Sequence, residues 1–363
     1  MNFHPAGLAT GIGSLPHTDP FFAVSLVKKY FPYLPHWPQL PRATRREGYL
    51  IQFLQLLQEL ELLQVRNGNW AYFTSDDPAW PERLARFYEI YLQAASGNEE
   101  SLDHFAFPQG AAEGFYHLLR DLMENGTGRA RFLKGQIVGL LTVGFQITDP
   151  EGRPAYYNSH LRDVLLKQLS LQAAWQVRTL GKFGLPVLIF MDDPVIYSYG
   201  MSERIGVTKE EIVAALGDFT ASVRSQGGLA GVHSCADLDW SLLLESDLDI
   251  ISFDAYQFAE SFSLYPELIQ TFLAKGGVVA WGLTPTSNDV LNEDVDSLIR
   301  RASRILDKLR QKRVELDLLQ AQALVTPACG TGTLTEDLAL RVYELTAAFA
   351  SRWNELFGSL TTN

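Results

Sequence analysis

Short runs that are apolar at every position recur along this chain, separated by longer stretches of helical periodicity. Residues 187–191 read VLIFM and residues 277–282 read GVVAWG. A strand with no polar face is one buried on both sides, as in a parallel sheet covered by helices. The expected strands are 8–14, 37–40, 135–143, 186–191, 228–235, 249–254, 277–283 and 323–329. The expected helices include 20–31, 49–64, 158–183, 209–225, 266–274, 293–312 and 335–356. Several carry start signals: Asp19 before Pro20 at the first, and Thr208 before Glu210 and Glu211 at another. Eight strands alternating with helices predict an α/β fold of the (β/α)8 TIM-barrel type.

The 363 residues exceed the roughly 250 of an ordinary barrel. The surplus falls in residues 65–128, where helical stretches 81–96 and 110–124 interrupt the rhythm. That stretch is too long for a connection, so it reads as a helical insertion between the second and third strands, and 1–363 as one domain carrying it. Polar residues cluster at the ends of the strands, at Ser14, Asp192, Asp193, His233, Cys235, Asp254 and Cys329. A barrel gathers these strand ends on one face, where active sites form.

The formal charge of −12 and pI near 5.1 argue against nucleic acid or an anionic membrane surface as partner. The first residues carry no basic segment followed by an apolar one, and no apolar run reaches 18 residues. The expected setting is the cytoplasm. Two cysteines cannot build a disulfide framework, and in such a setting a pair points to metal or catalysis.

Those cysteines sit at strand ends. His233-Ser234-Cys235 closes the fifth expected strand, and Cys329-Gly330 the eighth. His233 and Cys235 are two apart, so along a strand they face the same way. One imidazole and two thiolates favour zinc. The sequence alone does not give a fourth ligand; Asp254, ending the neighbouring strand, is the first candidate. A zinc already holding two thiolates is electron-rich. It suits binding a substrate thiol, which it keeps deprotonated and nucleophilic, better than activating water. The reaction class that needs this is alkyl transfer to sulfur.

In these residues the chain resembles the catalytic C-terminal barrel of cobalamin-independent methionine synthase, without that enzyme's N-terminal barrel. Thr10-Gly11-Ile12-Gly13-Ser14-Leu15-Pro16-His17-Thr18 is similar to the family's segment after the first strand. Phe190-Met191-Asp192-Asp193-Pro194 is similar to its Ile-Asp-Glu-Pro. His233, Cys235 and Cys329 match its zinc ligands, and 249–254 its segment ending in a ligating Glu, here Asp254. The resemblance implies a methyltransferase of methionine biosynthesis with zinc as cofactor and homocysteine as substrate. It implies that Ile12, Gly13 and Ser14 receive the substrate carboxylate and Asp192 its amine.

The chain departs from the family on the folate side. Thr284 stands where the family has a histidine, and Phe145 and Gln146 occupy the loop where it has a tryptophan. A leaving group at a folate nitrogen needs protonation, whereas a methyl on a corrinoid cobalt does not. The expected donor is therefore a methylcorrinoid, possibly bound to a protein. The rival expectations are a corrinoid-dependent transfer to another thiol such as coenzyme M, and a non-catalytic zinc- or corrinoid-binding protein. Trp281 is expected either near the mouth or in the core. His17 is read as a structural loop histidine.

Overall fold

A computed structural model describes residues 3–66, 70–201 and 206–357. Its strands are β1 (Leu8–Ala9), β2 (Leu63–Arg66), β3 (Trp70–Phe73), β4 (Leu133–Val138), β5 (Val187–Asp192), β6 (Leu229–Ser234), β7 (Ile250–Phe253), β8 (Val278–Thr284) and β9 (Ala323–Pro327). Seven of them form one parallel sheet in the order β1-β9-β8-β7-β6-β5-β4, and β2 pairs with β3 as an antiparallel hairpin. The fold is α/β, with a parallel half-barrel sheet covered by helices.

Residues 37–40, expected as a strand of this sheet, form no ladder. This stretch and the residue before it make two isolated parallel bridges, Gln39 with Ser14 and His36 with Lys134. Pro35, Pro38 and Pro41 have no N–H to give, so a continuous ladder is ruled out here. The remaining donors are used on both sides. Gln39 N donates to Gly13 O (3.0 Å) and Trp37 N to Lys134 O (3.2 Å), while Leu15 N donates back to Gln39 O (2.9 Å) and Lys134 N to Pro35 O (3.0 Å). The segment therefore joins the chain just after β1 to β4, the other edge of the sheet.

Other boundaries moved. The expected helix 49–64, which a 3-10 turn at Arg45–Glu47 precedes, divides into a 3-10 turn at Ile51–Phe53, a helix Gln55–Glu59, and then the start of β2. The expected strand 135–143 is β4 followed by a helix Leu140–Gln146. Asp193 imposes that break, accepting from Leu141 N (2.8 Å), Thr142 N (3.1 Å) and Thr142 Oγ1 (2.7 Å) at the helix start. Pro20–Tyr30 begins as the sequence predicts, with Asp19 Oδ1 accepting from Phe21 N at 2.9 Å. Within 65–128 lie β3 and the helices Trp80–Ala95, Glu99–Asp103 and Glu113–Asn125; residues 67–69 fall outside the described ones.

Strand alternation divides the side chains between two cores. Ile189, Met191, Val232, Ile251, Val279 and Trp281 pack toward the helices in the larger core. Leu188, Phe190, Leu229, Ile250, Val278, Ala280 and Leu324 form a separate inner cluster, with Phe3 and Leu8. Trp281 thus belongs to the outer set and packs against Phe253 and Phe262. Among the described residues no helix is long and apolar enough to cross a membrane.

Candidate metal centre

The inner face changes character along the strands. Two residues beyond the apolar Phe190 on β5 comes Asp192, and the β6 position paired with it is His233. His233 is paired in turn with Ser252 on β7. Three adjacent strands therefore carry Asp192, His233 and Ser252 as one polar row at their C-terminal ends. Ser252 Oγ lies 2.9 Å from His233 Nδ1 and fixes the ring through that atom. The opposite ring nitrogen, Nε2, is buried and makes no hydrogen bond.

Cys235 follows β6 and Cys329 follows β9, and the two loops bring their sulfurs to His233. A ring nitrogen of His233 and both sulfurs lie within 4.8 Å of one another. Both thiols are free. The Cys235 thiol is held well below its ordinary range, chiefly because Cys329 donates to it, with His233 adding to the effect. Cys329 is raised correspondingly, by that same interaction and by burial. A free imidazole nitrogen beside such a pair is the donor set a divalent, thiophilic cation takes, and Ser252 is the outer partner that orients a ligating histidine. The residues fit a metal ion.

The expected fourth ligand is placed differently. Asp254 is the N-cap of the helix Ala255–Phe262. Its Oδ1 accepts from Gln257 N (2.9 Å) and its Oδ2 from Gln257 Nε2 (2.7 Å), and it does not join the His/Cys/Cys group.

The three ligand-type residues share a cavity of about 600 Å³ with Ile12, Ser14, Asp192, Thr142, Gln39, Arg42, Tyr49 and Phe53. One carboxylate oxygen of Asp192 is buried without a hydrogen-bond partner. Burial raises the Asp192 carboxyl from its usual range, against the opposing pull of His233 and Lys134. Ser14 sits under the loop that follows Cys329. Thr331 N donates to Ser14 O (3.0 Å) and Gly332 N to Ser14 Oγ (3.2 Å). A Cβ at Gly330 would lie 2.2 Å from Ser14 Oγ, so the backbone comes this close only because residue 330 has no side chain.

Gly13, His17, Asp254, Trp281 and Thr284 stay outside the cavity lining. Thr284 is completely buried at the end of β8, its Oγ1 without a partner. His17 is buried against Phe22, with ring centres 5.1 Å apart. Sequence reasoning missed Lys134, which is completely buried on β4 and donates from Nζ to Ile12 O at 2.6 Å. Its signal was a lysine at the second position of a mostly apolar strand, hidden because that strand was expected to begin at Gly135. It also missed residues 41–53, which bring Arg42, Tyr49 and Phe53 to the cavity; Tyr49 bonds across to Gln146 and Arg42 Nη2 donates to Thr333 O at 2.9 Å.

No protein-family model matches this chain, and no curated protein matches it.

Proposed function

We propose that this chain is a zinc-dependent S-methyltransferase of methionine biosynthesis. In this reading the sheet and the 35–39 segment together make a (β/α)8 barrel. The substrate is homocysteine, the product methionine, and the donor a methylcorrinoid rather than a methyl-folate. The observation that carries it is the His233, Cys235 and Cys329 group in one cavity with Asp192 and Ser14.

Zinc held by these three residues would lower the pKa of a substrate thiol while leaving it nucleophilic, the chemistry that alkyl transfer to sulfur needs. The chain's own residues supply position. The unpartnered oxygen of Asp192 is matched to a substrate ammonium, which favours an amino-acid thiol over a sulfonate such as coenzyme M. Ser14 Oγ and the backbone at Ile12 and Gly13 would hold the carboxylate. The C–S bond forms from a sulfur lone pair as the donor–methyl bond breaks, with its electron pair left on the donor and the thiol proton released to solvent. Holding sulfur and methyl in line is the main contribution such a site makes. The donor assignment rests on Thr284, buried where a proton-transfer group would be required for a folate.

The test is zinc content of the purified protein, with X-ray absorption at the zinc edge before and after homocysteine. About one zinc per chain, gaining a sulfur neighbour on addition, supports the reading. Cys235→Ser should lose both zinc and methyl transfer. Full transfer from methylcobalamin by a zinc-free Cys235→Ser protein would overturn it.

A further inference from the structure

Lys134 is a buried cation that the reading above does not use. Alternation along β4 turns it to the inner face with Gln136 and Val138, in register with Leu188 of the inner apolar cluster. Its Nζ lies 4.5 Å from the centre of the Phe190 ring and donates to Ile12 O. Among the described residues no carboxylate lies within 4.0 Å of it. Burial draws the ammonium down to about 8, against the pull of Asp192. An ammonium in such surroundings carries a desolvation cost that an apolar side chain of the same length would not. Packing alone is therefore a poor reason for a lysine here.

Its hydrogen bond runs to the carbonyl of the peptide joining Ile12 to Gly13. A carbonyl that accepts from a cation polarises its own peptide, which strengthens the N–H on the far side as a donor. The same segment is fixed at its next two carbonyls. Gly13 O accepts from Gln39 N (3.0 Å) and Ser14 O from Thr331 N (3.0 Å). Gly13 has φ +155° and a Cβ there would lie 2.7 Å from the Gln136 side chain, so only glycine brings this backbone past β4.

We infer that Lys134 is a positioning residue for carboxylate recognition: through Ile12 O it orients and polarises the 12–14 segment, and so selects a thiol substrate that carries a carboxylate. This rests on the proposed reading that the segment receives that carboxylate. Asp192 and Lys134 would then give the site a negative and a positive side, matching an α-amino acid.

The experiment compares dissociation constants of zinc-loaded protein for homocysteine and for 3-aminopropane-1-thiol, which is homocysteine without its carboxylate. Wild type should prefer homocysteine. Lys134→Met should weaken homocysteine binding roughly tenfold while changing the aminothiol less than about twofold. Lys134→Gln, whose amide still donates, should fall between. A Lys134→Met protein with wild-type zinc content that keeps the full preference, or weakens both ligands equally, would overturn the inference alone. Wild type without any preference would overturn the carboxylate reading of the 12–14 segment, and this inference with it. If Lys134→Met loses zinc, the residue serves the fold in that variant, and Lys134→Gln decides by the same comparison.

Discussion

Ser252 is a buried hydroxyl whose role is set by one contact, Oγ to His233 Nδ1 at 2.9 Å. It leaves Nε2 as the nitrogen free to ligate. Removing such an outer partner lets the ring rotate and lowers its basicity, which typically weakens metal binding 10–100-fold. Ser252→Ala should therefore bind zinc in the same ratio but with an affinity reduced by about that factor, measured by competition with a chelating dye; an unchanged affinity would mean that the ring is oriented by packing alone. The residue scale is also where the sequence was most readable. His233, Cys235 and Cys329 are rare ligand types at strand ends, and chemistry singles them out without any structure. Ser252 and Lys134 carried no such mark. A serine in an apolar strand and a lysine at a strand's edge are common, and only the register to His233 and the reach to Ile12 give them meaning.

Among the elements, the segment 41–54 brings Arg42, Tyr49 and Phe53 to the cavity, and Glu47 ties it down. Glu47 is completely buried, and its Oε1 accepts from Glu113 N at 3.2 Å, at the start of the helix Glu113–Asn125. Burial pushes its carboxyl up to about 7. The folded state therefore holds a proton that the unfolded chain gives up near 4.5. Between those values the folded state binds more protons, so the stability due to this group falls as pH rises from about 4.5 to about 7 and is level above. Glu47→Gln mimics the protonated form. It should be more stable than wild type at pH 8 by on the order of 1–3 kcal/mol, with the difference vanishing near pH 4, as read from urea unfolding at both values. A difference that does not change with pH would show that the Glu47 carboxyl titrates alike in the folded and unfolded states. This element was misread as part of one helix, because Leu50, Phe53, Leu54, Leu57 and Leu60 are spaced as on a helix face. Leu50, Phe53, Leu54 and Leu57 are indeed buried, but over turns and a short helix instead of a continuous one. Apolar spacing reports which residues are inside and does not report where hydrogen bonding breaks. The same holds for 135–143, where Asp193, about fifty residues away, decides that the chain turns helical at Leu140. Helix starts were legible where the cap is local, as at Asp19 and Thr208.

At the scale of the whole molecule, the two candidate cysteine ligands come from strands that are not neighbours. Cys235 follows β6 and Cys329 follows β9, and β7 and β8 lie between them in the sheet. An ion bound by both would tie together distant parts of the chain and would have no equivalent partner in the unfolded state. Its binding energy therefore adds to folding stability, by about 2.7 kcal/mol at a free concentration one hundred times the dissociation constant. For a chain of this length that corresponds to a rise in Tm on the order of 5 °C. The rise should be present in wild type, absent after dialysis against a strong chelator, and restored by zinc. In Cys329→Ser it should be largely lost, because one end of the tie is gone while the sheet, whose strands need neither thiol, remains. Tm measured with and without zinc in both proteins separates two arrangements. Equal zinc stabilisation in wild type and Cys329→Ser would mean that the ion is held by His233 and Cys235 alone and spans nothing. Stabilisation confined to wild type would mean that the fold is the device bringing β6 and β9 to one ion, which is what seven parallel strands with their C-terminal ends on one face are able to do.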